Sequence, residues 1–258
     1  MSRIIRQLLL IVALPAVLVA VWWYSTEDSQ SFYVPPLRTI LTTFGTLWTG
    51  ERLATDVLPS VLRLAGGYLS AVVVGVALGV VIGSYRRVRA VLEPVLEFLR
   101  AVPPPVLVPV IMLFAGIGNG MKVVVILSGC VWPILLNTVE GVRAVDGVLS
   151  ESARSYGITG AARLRHLVLP SAGPQIFAGL RQALSIGIIL MVISEMFAAS
   201  NGLGFDVVQF QRSFAIPEMW SGILLLGLLG FLLSVLFQLV ESRALAWYRG
   251  LRRSRRSS

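Results

Sequence analysis

Apolar runs long enough to cross a lipid bilayer recur along this chain, and they constrain its fold more than any other feature. About 20 mostly apolar residues cross the hydrocarbon core as a helix. That core offers no partner for an open backbone, so a spanning run must satisfy its own N–H and C=O groups, as a helix does. The runs lie at about Gln7–Trp23, Leu58–Ile82, a short one after Pro105 ending near Ile117, Lys122–Leu136, Ile176–Ala199 and Trp220–Val240. The expected fold is an all-α, polytopic membrane helical bundle of about six transmembrane helices. Charged residues make up 14% of the chain and hydrophobic ones 56%, with a mean hydropathy of +0.81. Soluble domains carry about 25% charged residues, so this chain lacks the polar surface to face water on all sides.

The net charge of +9 admits nucleic-acid binding, and the placement of the charges decides against it. Arg3 and Arg6 precede the first run. Arg86, Arg87, Arg89 and Arg100 follow the second, and Arg143, Arg154, Arg163 and Arg165 follow the fourth. Arg243, Arg249, Arg252, Arg253, Arg255 and Arg256 form the tail. Segments on the other side hold only Arg38, Arg52, Arg63, Lys122 and Arg212, while Arg181 can snorkel inward from the fifth run. This is the positive-inside bias, and it puts both termini in the cytoplasm. The tail can also meet anionic headgroups of the lipid membrane. Arg3 and Arg6 ahead of the first run also fit a signal peptide, but Trp22, Trp23 and Tyr24 follow it as an aromatic belt, which favours a retained anchor. The chain divides into an N-terminal anchor and external loop (1–55), a transmembrane core (56–242) and an Arg-rich tail (243–258).

Within the core, Gly75, Gly79 and Gly83 repeat at four-residue spacing, which fits a close helix–helix seam or the ordinary glycine content of membrane helices. Over 84–100, Val88, Val91, Leu92, Val95, Leu96 and Leu99 share one helical face, opposite Glu93 and Glu97, and predict an amphipathic helix that lies along the cytoplasmic interface or packs on the bundle. Cys130 has no partner cysteine, and His166 is the one histidine, so neither a disulfide nor a metal-ligand cluster is expected. No cofactor is implied. Glu195 lies well inside the fifth run. Facing hydrocarbon would cost it at least about 2.5 kcal/mol, so it is expected in the bundle interior, either as a translocation-pathway or gate residue or as a hydrogen-bonded strut.

The polar segment 140–173 carries the identity. Asp146 suits a helix N-cap, Leu149, Ala153 and Tyr156 share the face of the helix that follows, and Gly157 suits its end. Thr159 can cap a second short helix bearing Leu164, Leu167 and Val168, with Pro170 as its stop. The expectation is a helix-turn-helix held on the cytoplasmic side. Within it, Glu151, Ser152 and Ala153, then Gly157, then Leu167, Leu169 and Pro170 resemble the EAA loop of ABC importer permeases, with Ser152 in place of Ala and Leu167 in place of Ile. Leu99–Pro109, Phe114–Gly118, Pro133–Thr138 with Gly141–Arg143, and Glu195-Met196 ahead of Gly202-Leu203-Gly204 resemble the nitrate/sulfonate/taurine branch of that family.

The resemblance implies a permease subunit of the bacterial inner membrane. It implies a cytoplasmic ATPase dimer, a second permease copy in a homodimer, an external substrate-binding protein and a small-molecule substrate, an organic or inorganic anion. It assigns Glu151, Ser152, Ala153, Arg154, Tyr156, Gly157, Leu167, Leu169 and Pro170 to ATPase coupling. The chain has no Gly-x-x-x-x-Gly-Lys-Ser/Thr phosphate loop, so ATP hydrolysis would fall to the partner and the chain would not be an enzyme. A secondary transporter or channel is the rival reading, weakened because Glu195 is the one ionisable residue read as lying well inside a span. A membrane enzyme is the third, weakened by the single histidine.

Overall fold

The structure is a computed structural model in which residues 3–27, 29 and 31–248 are described; the expected tail arginines beyond Tyr248 lie outside them. In chain order the helices are α1 (Arg3–Thr26), α2 (Leu37–Leu47), α3 (Leu58–Ser84), α4 (Arg86–Arg100), α5 (Val108–Ala115), α6 (Asn119–Arg143), α7 (Gly147–Ser155), α8 (Gly160–Arg163), α9 (Leu169–Ala198), α10 (Leu203–Arg212) and α11 (Ile216–Ala244). No strand occurs among the described residues. Among the described residues, four continuous helical runs are each long and apolar enough to cross a membrane: Leu53–Ser84, Asn119–Arg143, Gly160–Phe197 and Ile216–Ala244.

The bundle is organised around α6, which packs between α3 and α9. Glycines on α3 make the first contact possible. A Cβ on Gly67, Gly75, Gly79 or Gly83 would stand 2.5, 2.9, 2.6 or 2.8 Å from the Cβ of Ile126, Ile134, Thr138 or Val142. The spacing seen in the sequence is therefore a packing seam, and Gly67 extends it. Because both sets of numbers rise together, α3 and α6 run parallel. The second contact runs antiparallel, with Gly141 against Gln175, Gly179 against the Pro133 carbonyl and Gly187 against Cys130. In lipid, where burying one aliphatic chain behind another gains little, such close backbone approach is what holds helices together.

Parallel spanning helices require the chain to return between them. That return is α4 and α5, joined by a 3₁₀ turn at Pro104–Leu107 and bent by 81°. The expected short third span is thus a broken one: α5 has 8 residues, about 12 Å of rise, and Pro103-Pro104-Pro105 prevents it from continuing α4. The apolar face of α4 is divided as well. Val88, Leu92 and Leu96 pack on Ile82, Leu135 and Val139, while Val91, Val95 and Leu99 are exposed. The N-terminal α1 meets the rest at its C-terminal end, where Trp22 packs on Trp220.

Two spans begin earlier than expected, each through a widened π turn. Leu53–Val57 leads into Leu58-Pro59-Ser60, and Leu164–Val168 leads into Leu169-Pro170-Ser171. A proline ring clashes with the carbonyl four residues back, and an i→i+5 turn relieves this without ending the helix. Leu58 N–H donates to the Leu53 carbonyl, and Leu169 N–H to that of Leu164. Pro170 therefore does not stop a second short helix. It sits in the first turn of α9, and α8 is the outer end of the same 38-residue run. Residues 200–218, between the fifth and sixth apolar runs, contain α10, which buries Leu203, Gly204 and Asp206.

The seam makes a sharp contrast between neighbouring glycines. On Gly66 a Cβ would meet only Val123 at 3.5 Å, whereas on Gly67 it would reach within 2.5 Å of Ile126 and 2.9 Å of the Val123 carbonyl. Gly67→Ala is expected to destabilise the purified chain by about 1–3 kcal/mol through overpacking. Gly66→Ala should be neutral or slightly stabilising. Melting temperatures of the two variants in one detergent check this.

Candidate functional site

Two features stand at opposite ends of α6, which at 25 residues is about 37 Å long. The first is the hairpin of α7 and α8. Asp146 caps α7, accepting from Val148 N–H at 2.8 Å and Leu149 N–H at 3.1 Å. The helix closes through Ile158 N–H on the Ala153 carbonyl at 2.8 Å, with Gly157 at φ +72°. That left-handed conformation is what demands glycine, since the space around a Cβ there is open. Thr159 stands at the N-cap of α8, but its hydroxyl makes no capping bond. Arg163 Nη2 donates to Ser150 Oγ at 2.9 Å and ties the two limbs together.

The residues of the Glu151–Pro170 pattern divide by environment. Glu151, Ser152, Arg154, Tyr156 and Gly157 are exposed. Ala153 is half-buried, and so are Leu167, Leu169 and Pro170, which belong to the bundle rather than to the hairpin surface. Val148, Leu149, Tyr156 and Ile158 are large, apolar and exposed at this tip. A short hairpin pinned to a long helix, carrying an apolar patch edged by Glu151 and Arg154, has the composition of a protein-docking element.

The second feature is a buried polar cluster at the other end of the bundle. Glu195 is 0% exposed and pairs with Arg63, 5% exposed, at 2.7 Å. Ser60 Oγ donates to the Glu195 carboxylate at 2.8 Å and accepts from Leu203 N–H at 2.9 Å. Gly204 N–H donates to Glu195 Oε2 at 2.9 Å. The Arg63 guanidinium continues outward, with Nε donating to Asn119 Oδ1 at 2.8 Å and Nη2 to Asn201 Oδ1 at 2.6 Å. Asn201 Nδ2 in turn donates to the Thr55 carbonyl at 3.1 Å. The cluster thereby joins α3, α6, α9 and the segment leading into α10. Gly202 has φ +117°, and a Cβ on it would stand 2.7 Å from both Arg63 Nη1 and Glu195 Cδ; on Gly204 it would stand 2.5 Å from the Val192 carbonyl. The Gly202-Leu203-Gly204 motif is thus the surface against which this ion pair closes.

The sequence places Glu195 in the bundle interior, and the structure agrees, far from the hairpin. It places Arg63 and Lys122 on the external side without a reading of their burial; in the structure both are covered, Lys122 at 3% exposure. The signal for Arg63 was available, since an interior carboxylate needs a counter-charge and Arg63 lies in the apolar run of α3. Beside the cluster, Asp206 on α10 accepts from Arg52 Nη1 at 3.4 Å. Burial, with Asp56 nearby, pushes its carboxyl up to about 6, against the pull of Arg52.

Residues 71–245 match the family described as binding-protein-dependent transport system inner membrane component. The chain is 31% identical over 256 residues to the taurine transport system permease protein TauC of Escherichia coli K12, covering 94% of this chain and 91% of that one. It is 32% identical over 257 residues to the protein named as aliphatic sulfonates transport permease SsuC of the same organism, covering 96% of each. It is 27% identical over 235 residues to the nitrate import permease protein NrtB of Synechocystis, covering 88% and 86%. Among solved structures, an inward-facing form of the MetNI methionine ABC transporter shares the fold, with TM-score 0.60 and 20% identity, covering 77% of this chain and 98% of that chain.

The cluster yields two expectations. Arg63→Met strands a buried carboxylate and should cost about 3–5 kcal/mol, while Arg63→Met with Glu195→Met should cost less than the sum of the single changes. A double-mutant cycle in melting temperature reads this out. For Asp206, a folded value of about 6 lies above the ordinary 3.8, so the stability it contributes is full below the ordinary value and is lost as pH rises through about 6. Relative to the native chain, Asp206→Asn should therefore gain stability as pH is raised from acid to neutral; a constant difference across that range counts against the assignment.

Proposed function

Because this chain belongs to the family of binding-protein-dependent transport system inner membrane components, we propose that its α7–α8 hairpin is the contact through which an ATPase drives the bundle. The protein is the permease subunit of an ABC importer, a multi-pass inner membrane protein and not itself an enzyme. ATP hydrolysis belongs to a separate subunit, and membership implies that ATPase and a substrate-binding protein as partners. The observation that carries the proposal is the hairpin's place: an exposed apolar tip of Val148, Leu149 and Tyr156, rigidly continuous through α8 with the spanning helix α9.

In this reading Glu151 and Arg154 pair with charges at the rim of a cleft on the ATPase, and Tyr156 fills it. Closure of the ATPase pair on ATP displaces the hairpin, and the 38-residue α8–α9 run carries that displacement across the membrane. This is a two-state rigid-body switch driven by a ligand that prefers one state. Both termini and the hairpin lie in the cytoplasm, and the Arg63–Glu195 end faces outward, where the binding protein delivers its cargo. A second copy of the chain completes the pathway on a twofold axis. The core is 56–242, with 1–55 as an added anchor and 243–258 as a cytoplasmic tail. Glu195 acts as a strut, since its carboxylate is fully engaged by Arg63, Ser60 and Gly204. The cargo is a small anion, as the names of the relatives suggest: taurine, aliphatic sulfonates and nitrate.

The ATPase should co-purify with the native chain, and substrate-loaded binding protein should stimulate its hydrolysis in reconstituted membranes. Gly157→Val forces a β-branched residue into the left-handed region, a strain of at least about 1–2 kcal/mol, and should misdirect α8. Glu151→Lys should weaken docking. In both variants the ATPase should be lost on purification or should hydrolyse ATP without transport. Native coupling in both would remove the hairpin from the mechanism.

A further inference from the structure

One cavity at the Arg63–Glu195 end is not accounted for by the ion pair. It encloses about 640 Å³ and is lined by Arg63, Asn119, Lys122 and Asn201 together with apolar side chains that include Met112 and Phe197. A volume of that order suits a small organic solute. Glu195 does not line it.

The charge balance around this cavity is one-sided. The Arg63 guanidinium is neutralised by Glu195. Lys122 is 3% exposed, yet among the described residues it makes no ion pair. Its Nζ donates only to the Ile117 and Gly118 carbonyls, at 3.3 and 3.4 Å. An ammonium has three donors, so one remains for whatever occupies the cavity. A covered cation without a counter-ion is unfavourable, and an arriving anion would relieve that cost. Asn119 adds a neutral donor: its Oδ1 is taken by Arg63 Nε, which leaves its amide N–H groups, and they make no hydrogen bond among the described residues.

We propose that Lys122, with Asn119 beside it, forms a subsite for the oxygens of a small oxyanion such as a sulfonate or nitrate, with any organic tail resting on Met112 and Phe197. The inference rests on the reading of the cargo as an anion and assigns the residues that receive it. Lys122 supplies the charge and a charge-assisted hydrogen bond. Arg63 holds Asn119 in place while its own charge stays committed to Glu195. The sulfonate or nitrate therefore meets a site of net positive charge at the end where it enters.

The test is uptake of radiolabelled taurine, methanesulfonate and nitrate into proteoliposomes carrying the complete transporter with its ATPase and binding protein. For whichever anion the native complex transports, Lys122→Gln should raise KM about tenfold or more, the loss of one hydrogen bond to a charged group. Lys122→Arg, which keeps the charge, should recover most of the affinity. Asn119→Asp keeps an acceptor for Arg63 Nε but sets a carboxylate in the cavity, and should also raise KM. It decides the matter should Lys122→Gln fail to assemble. Native KM in Lys122→Gln, or in Asn119→Asp if that variant alone assembles, overturns the subsite and leaves the anion reading standing. If the native complex moves none of the three anions but carries a neutral or cationic solute, the anion reading itself falls and the subsite with it.

Discussion

Close backbone contact between α3 and α6 is the constraint on which the rest of the molecule depends. Lipid tails are as apolar as leucine, so hiding one aliphatic side chain behind another gains little. What remains is dispersion at short range, and that needs small residues where two backbones cross. Gly67, Gly75, Gly79 and Gly83 provide it along one seam, and Gly141, Gly179 and Gly187 along the other face of α6. With α3 and α6 fixed parallel, the chain has to double back between them, and the proline-broken α4–α5 segment is how it does so.

The ion pair closes one end of this arrangement. Taking Arg63 and Glu195 out of water is costly, and their attraction offsets that only when the remaining donors and acceptors are also satisfied. Here they are: among the described residues no buried side-chain nitrogen or oxygen lacks a partner. Each added bond recruits another segment, from Thr55 ahead of α3 to Gly204 in α10. A network of this kind contributes specificity of arrangement more than net stability, because a half-satisfied version is worse than an apolar one. It sets which loop lies against which helix at that end.

Much of this was legible in the sequence, for identifiable reasons. Long apolar runs report directly on lipid, so most of the spans were readable. The helix α7, its Asp146 cap and its Gly157 end follow local rules, which is why they were found as they stand. The failures were failures of tertiary context. Nothing local distinguishes Pro170 as a stop from the same residue in the first turn of a longer helix; the preceding π turn decides, and it forms only when the packed helix has reason to continue. The face of α4 was read as one surface because periodicity cannot say that Val88 meets α6 while Val91 does not. The burial of Arg63 was not read, since the partner that covers it lies 132 residues away.

The continuity of α8 with α9 has a mechanical consequence. A helical run of 38 residues is about 57 Å long, longer than the bilayer is thick. Gripped at its waist by the glycine contacts with α6, it behaves as a beam on a fulcrum. A tilt of about 5° over half that length moves each tip by about 2–3 Å, in opposite directions on the two sides of the membrane. Were the proposed ATPase contact to push the hairpin by that amount, the end of the run that carries Glu195 would move by a similar amount the other way.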